Sequence, residues 1–138
     1  MTRIAHLALM WGSLGSIAAC AVEPAPPSDF TVTESSIPEL QGLMASGALT
    51  SRELVVHYLT RIAVYEDRLN AAVFVNPNAI AEAEALDAER AAGRVRGPLH
   101  GIPVALKDNI QTTHLPTTGG ALAFADYVPP FEATVTRN

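Results

Sequence analysis

The sequence predicts an α/β domain, and three observations predict it. Two helix-start signatures stand early in the chain, a short β-branched run follows them, and a third helical stretch leads to a second apolar segment that ends at Lys107. With 138 residues, 49% of them hydrophobic, the chain is long enough for one domain with a buried core.

Residues 1–20 read as an export signal: Arg3 supplies the positive start, Ile4 to Ala19 is mostly apolar, and small residues precede the single cysteine. Ile17-Ala-Ala-Cys20 resembles the bacterial lipobox, which makes Cys20 the candidate lipidation site and a lipid anchor in the cell envelope the expected membrane contact. The alternative is an ordinary cleaved signal, leaving a secreted or periplasmic protein with an incidental cysteine. Residues 21–30, with Pro24, Pro26 and Pro27, are expected to be an extended spacer, because proline fixes φ and removes backbone donors.

The folded part is expected over residues 31–138. Ser36 with Glu39, and Thr50 with Glu53, have capping-box spacing, in which a hydroxyl and a carboxylate satisfy the orphan amides of a helix start. Leu40, Leu43 and Met44 form the apolar face of the first helix, which Gly47 ends. Leu54, Val55, Tyr58, Leu59, Ile62 and Tyr65 recur at helical spacing in the second and read as core. Ala71–Val75 is apolar and β-branched, which predicts a strand, and Asn76-Pro77 predicts a cap with proline at the first position of a third helix reaching about Ala92. The charges of that helix, Glu82, Glu84, Asp87, Glu89 and Arg90, read as a solvated face. Gly93 closes it, and Pro103–Leu106 predicts a second, buried strand.

Composition narrows the function. A formal charge of -5 with only nine Lys and Arg argues against a nucleic-acid partner, since phosphate contacts need clustered cations, and leaves small-molecule chemistry as the expectation. His57, His100 and His114 have no ligand spacing and read as surface or loop residues, and no cofactor or metal motif is present. Ser35, Ser36, Ser46 and Ser51 lie at caps and helix ends, and none has the glycine-flanked setting of a nucleophile.

Gly97-Pro-Leu-His-Gly-Ile-Pro-Val-Ala-Leu-Lys-Asp-Asn-Ile110, followed by Leu115-Pro-Thr-Thr-Gly-Gly120, resembles the amidase signature family. The resemblance covers about Thr31 to Asn138 and implies the N-terminal portion of that family's α/β fold, a mixed central sheet surrounded by helices, incomplete here and truncated at the C-terminus. It implies hydrolysis of a carboxamide by a Ser, cis-Ser, Lys arrangement without a cofactor, in which Lys107 matches the catalytic lysine and is the member this chain carries. Asp108 and Asn109 are then candidate supports of the site; the plainer reading of each is a turn residue bonded to its own loop. Thr117 and Thr118 read as the hydroxyl cap of a helix start, the alternative being a polar turn packed beside the active site, and Glu132–Asn138 reads as the beginning of a further helix. The family pattern is broken at Ala121, where serine is common, and at His114, where glycine is frequent.

The chemistry explains a lysine at such a place. An amine takes a proton from a hydroxyl only when neutral, and an apolar setting, here expected from Val104, Ala105 and Leu106, disfavours its charged form. A bridging serine would relay the proton to the leaving nitrogen while a second serine forms an acyl-enzyme. The alternative function is a catalytically inactive truncated lipoprotein or binding module built on the same domain. An aminoacyl-tRNA amidotransferase subunit is disfavoured by the export signal, which separates the protein from tRNA.

Overall fold

The computed structural model describes residues 30–137. The export-signal, lipidation and spacer readings, Cys20 among them, therefore lie outside the described residues, except for Phe30 at the spacer's end. Phe30 packs on the core and meets the His57 ring edge-on, with centroids 5.3 Å apart.

Helix α1 spans Ile37–Ser46 and helix α2 spans Ser51–Leu69, each started by the capping box that the sequence predicts. Glu39 Oε2 accepts from Ser36 N at 2.8 Å and Glu53 Oε2 from Thr50 N at 2.8 Å, while each cap hydroxyl accepts from the amide three residues on. Gly47, at φ 75°, ends α1 and sends its N–H back to Met44 O at 3.3 Å. Asn70 ends α2 in the left-handed region, an allowed place for a short polar side chain.

Helix α3 spans Ala79–Ala91, so it begins later than Asn76-Pro77 predicts. Asn76 Oδ1 accepts from Asn78 N at 2.9 Å and Asn76 O from Ala79 N at 3.2 Å, which makes the pair a turn ahead of the helix. The physical cause is local: an Asn side chain competes for the amide two residues on, and here that competition wins over capping.

Both strand expectations need correction. Neither Ala71–Val75 nor Pro103–Leu106 is paired into a sheet among the described residues, and the second is not buried, with Val104 62% and Leu106 44% exposed. A β-branched run reports a preference for a pleated, half-buried surface; the ladder partner that makes it a strand is supplied by tertiary structure. Glu132–Arg137 likewise closes a turn, with Thr136 N and Arg137 N both reaching Ala133 O.

The core is small and lies where α1, the start of α2 and the chain around Gly101 converge. Val32, Leu40, Met44, Leu49 and Leu54 form it, with Leu54 fully buried. Burying each large apolar side chain stabilises the fold by about 1.5–3 kcal/mol.

Of the α3 charges expected to face solvent, Glu82 and Glu84 are exposed, whereas Asp87 and Arg90 hold this core's surroundings together. Asp87 accepts from Ser51 N at 2.7 Å and Arg52 N at 3.0 Å, which places a carboxylate on the N-terminus of α2. Arg90 Nη2 donates to Gln41 Oε1 at 2.9 Å and His100 O at 3.0 Å, and Gln41 Nε2 donates to Pro98 O and His100 O. Glu84 and Glu89 pair with Arg52 and Arg96. Helical periodicity shows which residues share a face of α3 but not what that face meets.

Candidate active site

The segment that carries the candidate lysine is pinned before it reaches Lys107. His100 is buried, with Nε2 3.0 Å from Leu86 O and Nδ1 accepting from Arg96 N at 3.4 Å, so it is a loop residue but not a surface one. Gly101 follows at φ 78°, and a Cβ there would meet the Ser51 side chain, with Ser51 Cβ 3.0 Å away. Only glycine gives both that backbone conformation and that close approach. Ser51 itself is fully buried with Oγ against Met44 Sδ at 3.6 Å, a packed residue at the first position of α2 and not a nucleophile.

Beyond Ile102 the chain runs along a cleft of about 630 Å³. One wall is α2, through Val55, Tyr58, Leu59 and Ile62; the others are residues 71–76 and 103–108. The α2 residues that periodicity marks as core therefore line a largely apolar cleft as well. Lys107 stands at its rim and is exposed, so the enclosed apolar setting expected from Val104–Leu106 is not formed among the described residues.

Ile110 N donates to Lys107 O at 2.8 Å and closes a turn over Asp108 and Asn109. Asn109 is exposed in that turn. Asp108 does not bond its own loop: Oδ1 accepts from Thr118 N at 2.8 Å, and Oδ2 accepts from the Thr118 hydroxyl and from Gly120 N at 3.2 Å. The Thr118 hydroxyl, then the Thr118 amide, hold the Asp108 carboxyl below its usual range; partial desolvation opposes them, while the Gly120 amide and the positive charge of Lys107 assist. Asp108 thus holds residues 118–120 and not its own loop, which sets aside the plainer reading of a turn residue.

Thr118, read from the sequence first as a helix cap and alternatively as packing beside the site, is the residue whose partner sequence reasoning missed. It caps no helix: the short 3-10 helix Leu122–Phe124 follows Ala121 without a side-chain cap, and the hydroxyl of Thr118 serves Asp108 instead. Two glycines directly after a threonine, both able to take positive φ, are the signal that could have found it. A second carboxylate, Glu132, ties Gln111–His114 to the chain end by accepting from Thr113 N at 2.9 Å, Thr113 Oγ1 at 2.6 Å and Thr136 Oγ1 at 2.8 Å. Lys107, Asp108 and Thr118 are brought together, whereas His57, His100 and His114 stay apart from them, and Cys20 is outside the described residues. The arrangement presents one amine, on a braced turn, to an apolar cleft.

The profile of the family described as Amidase matches residues 53–138. The A subunit of glutamyl-tRNA(Gln) amidotransferase from Salinispora arenicola is 41% identical over 107 residues, covering 77% of this chain and 22% of that protein. A putative amidase of Schizosaccharomyces pombe is 38% identical over 110 residues, 79% of this chain and 19% of its own length. Among solved structures, the native peptide amidase of Stenotrophomonas maltophilia superposes with a TM-score of 0.73 at 42% identity, over 76% of this chain and 22% of that one. An amidase family protein of Bacillus anthracis gives 0.71 at 37% identity, over 75% and 21%. The chain spans about a fifth of the length of the relatives it matches.

Proposed function

Given that the chain belongs to the amidase family and carries a portion of the amidase signature fold, we propose that it serves a hydrolase of carboxamide bonds in which Lys107 is the general base. The observation that carries this reading is the placement of Lys107 on a turn braced by Asp108, at the rim of an apolar cleft of about 630 Å³. Such a cleft suits the organic part of a small amide, and the amine at its mouth is where the carboxamide and a serine hydroxyl would meet. In the proposed Ser, cis-Ser, Lys arrangement the neutral amine takes the proton of the bridging serine, which in turn takes the proton of the second serine as that serine attacks the carbonyl, and the same relay returns a proton to the leaving nitrogen. No cofactor is required by this scheme.

The test is ammonia release from peptide amides and simple carboxamides by the protein expressed from its native gene, alongside Lys107→Ala. Loss of at least about a hundredfold in turnover, with unchanged helical circular dichroism, supports the base role. Retained turnover in Lys107→Ala sinks it. A wild-type protein that binds amides without releasing ammonia favours the alternative, a catalytically inactive binding module on an amidase-like domain.

The lipobox-like Ile17–Cys20 supports an envelope location with a lipid anchor at Cys20, read by incorporation of labelled fatty acid that Cys20→Ser abolishes. Unlabelled wild-type protein would return the reading to a plain cleaved signal. Among the described residues no helix is long and apolar enough to cross a membrane.

A further inference from the structure

Three consecutive residues clasp one. Thr118 N and the Thr118 hydroxyl take separate oxygens of Asp108, Gly120 N reaches Oδ2 at 3.2 Å, and Gly119 N donates to the Asp108 carbonyl at 3.0 Å. Gly119 at φ 58° and Gly120 at φ 77° turn their amides to that side. A Cβ at either glycine would meet open space, so these positions need glycine for backbone conformation and not for room. Thr118 is 8% exposed, which makes its hydroxyl a desolvated donor spent on one acceptor.

The clasp matters because of what precedes it. The bond from Ile110 N to Lys107 O holds the turn within itself, whereas the bonds from 118–120 tie that turn to another segment. A lysine stem has many rotamers, and its reach is set by the backbone from which the stem departs. Fixing the next residue fixes that departure.

We propose that Thr118 is a positioning residue for Lys107, acting through the Asp108 carboxylate that its hydroxyl holds. The inference rests on the reading of Lys107 as the base, but its test does not. Lys107 is the only lysine in the sequence, so reductive methylation with 13C-formaldehyde gives one side-chain signal, separate from the N-terminal amine. Thr118→Val keeps the shape and removes the hydroxyl, which donates to Asp108 and accepts from Gly120 N at 3.0 Å, while the three amides keep their Asp108 acceptors.

In the whole chain, Thr118→Val is expected to narrow the Lys107 methyl signal and move it towards its position in an unfolded peptide. The amide order parameters of residues 107–109 should drop from about 0.85 to below about 0.6. The Asp108 carboxyl signal should titrate at higher pH than in the wild type, a change that mere loss of global stability would not produce. Thr118→Ser, which keeps the hydroxyl, should restore all three readouts. If Thr118→Val fails to fold, Asp108→Asn decides, since it must loosen Lys107 in the same way.

An unchanged Lys107 signal with unchanged order parameters, in Thr118→Val or in Asp108→Asn, overturns the proposal. So does a Thr118→Ser protein that behaves like the valine variant. Retained turnover in Lys107→Ala would remove the base role while leaving the clasp measurements standing, so the two ideas fail separately.

Discussion

Replacing Asp87 by Ala tests whether the charged face of α3 is solvated or structural. The carboxylate accepts from Ser51 N at 2.7 Å and Arg52 N at 3.0 Å across 36 and 35 residues of chain. Ser51 is fully buried, so its orphaned amide would bear a desolvation cost of about 1–3 kcal/mol. Arg52 is exposed and its amide can turn to water, while loss of the charge from the α2 N-terminus adds about 0.5 kcal/mol. The sum is about 2.5 kcal/mol, equivalent to a fall in melting temperature of about 11 °C for a folded unit of this size. Thermal unfolding followed at 222 nm reads it directly. Glu84→Ala is the control: its bridge to Arg52 joins side chains that are 52% and 56% exposed and should cost below about 1 kcal/mol. If Asp87→Ala and Glu84→Ala melt within about 2 °C of each other, the capping role is wrong and the solvated-face reading returns.

Two further outcomes are expected. Gly101→Ala should cost about 3 kcal/mol in urea denaturation, from the positive φ and the contact with Ser51, whereas Gly97→Ala, facing open space, should be near neutral. For Glu132, the donors Thr113 and Thr136 lower the carboxyl from 4.5 to about 2. Because the folded value lies below the unfolded one, its stabilising effect is present above about pH 4.5 and fades as pH falls towards about 2. Glu132→Gln should flatten that part of the urea midpoint against pH; an unaltered profile would show that the threonine hydroxyls do not hold the carboxylate in solution.

Legibility followed the range of the interaction. The capping boxes at Ser36 and Thr50 and the stops at Gly47 and Gly93 close within a few residues, so the local pattern contains both partners. Lys107 and Asp108 stood out from their neighbourhood, and both lie at the cleft. What those neighbourhoods could not show is which distant donor each acceptor meets. Asp87 on the α2 start, Arg90 on Gln41 and His100, and Thr118 on Asp108 are pairings across ten to 49 residues. A buried charge and a solvated one look alike in a helical repeat.

By itself the sequence determined three helices, the caps of the first two, and the family, because these rest on short-range bonds and side-chain identity. Tertiary structure alone decided that Ala71–Val75 and Pro103–Leu106 run unpaired beside an apolar cleft among the described residues, that Asp87 of α3 meets the start of α2, and that Thr118 holds Asp108, the neighbour of Lys107. The physical reason is that pairing, burial and bracing are properties of two segments meeting, and only the folded chain brings them together.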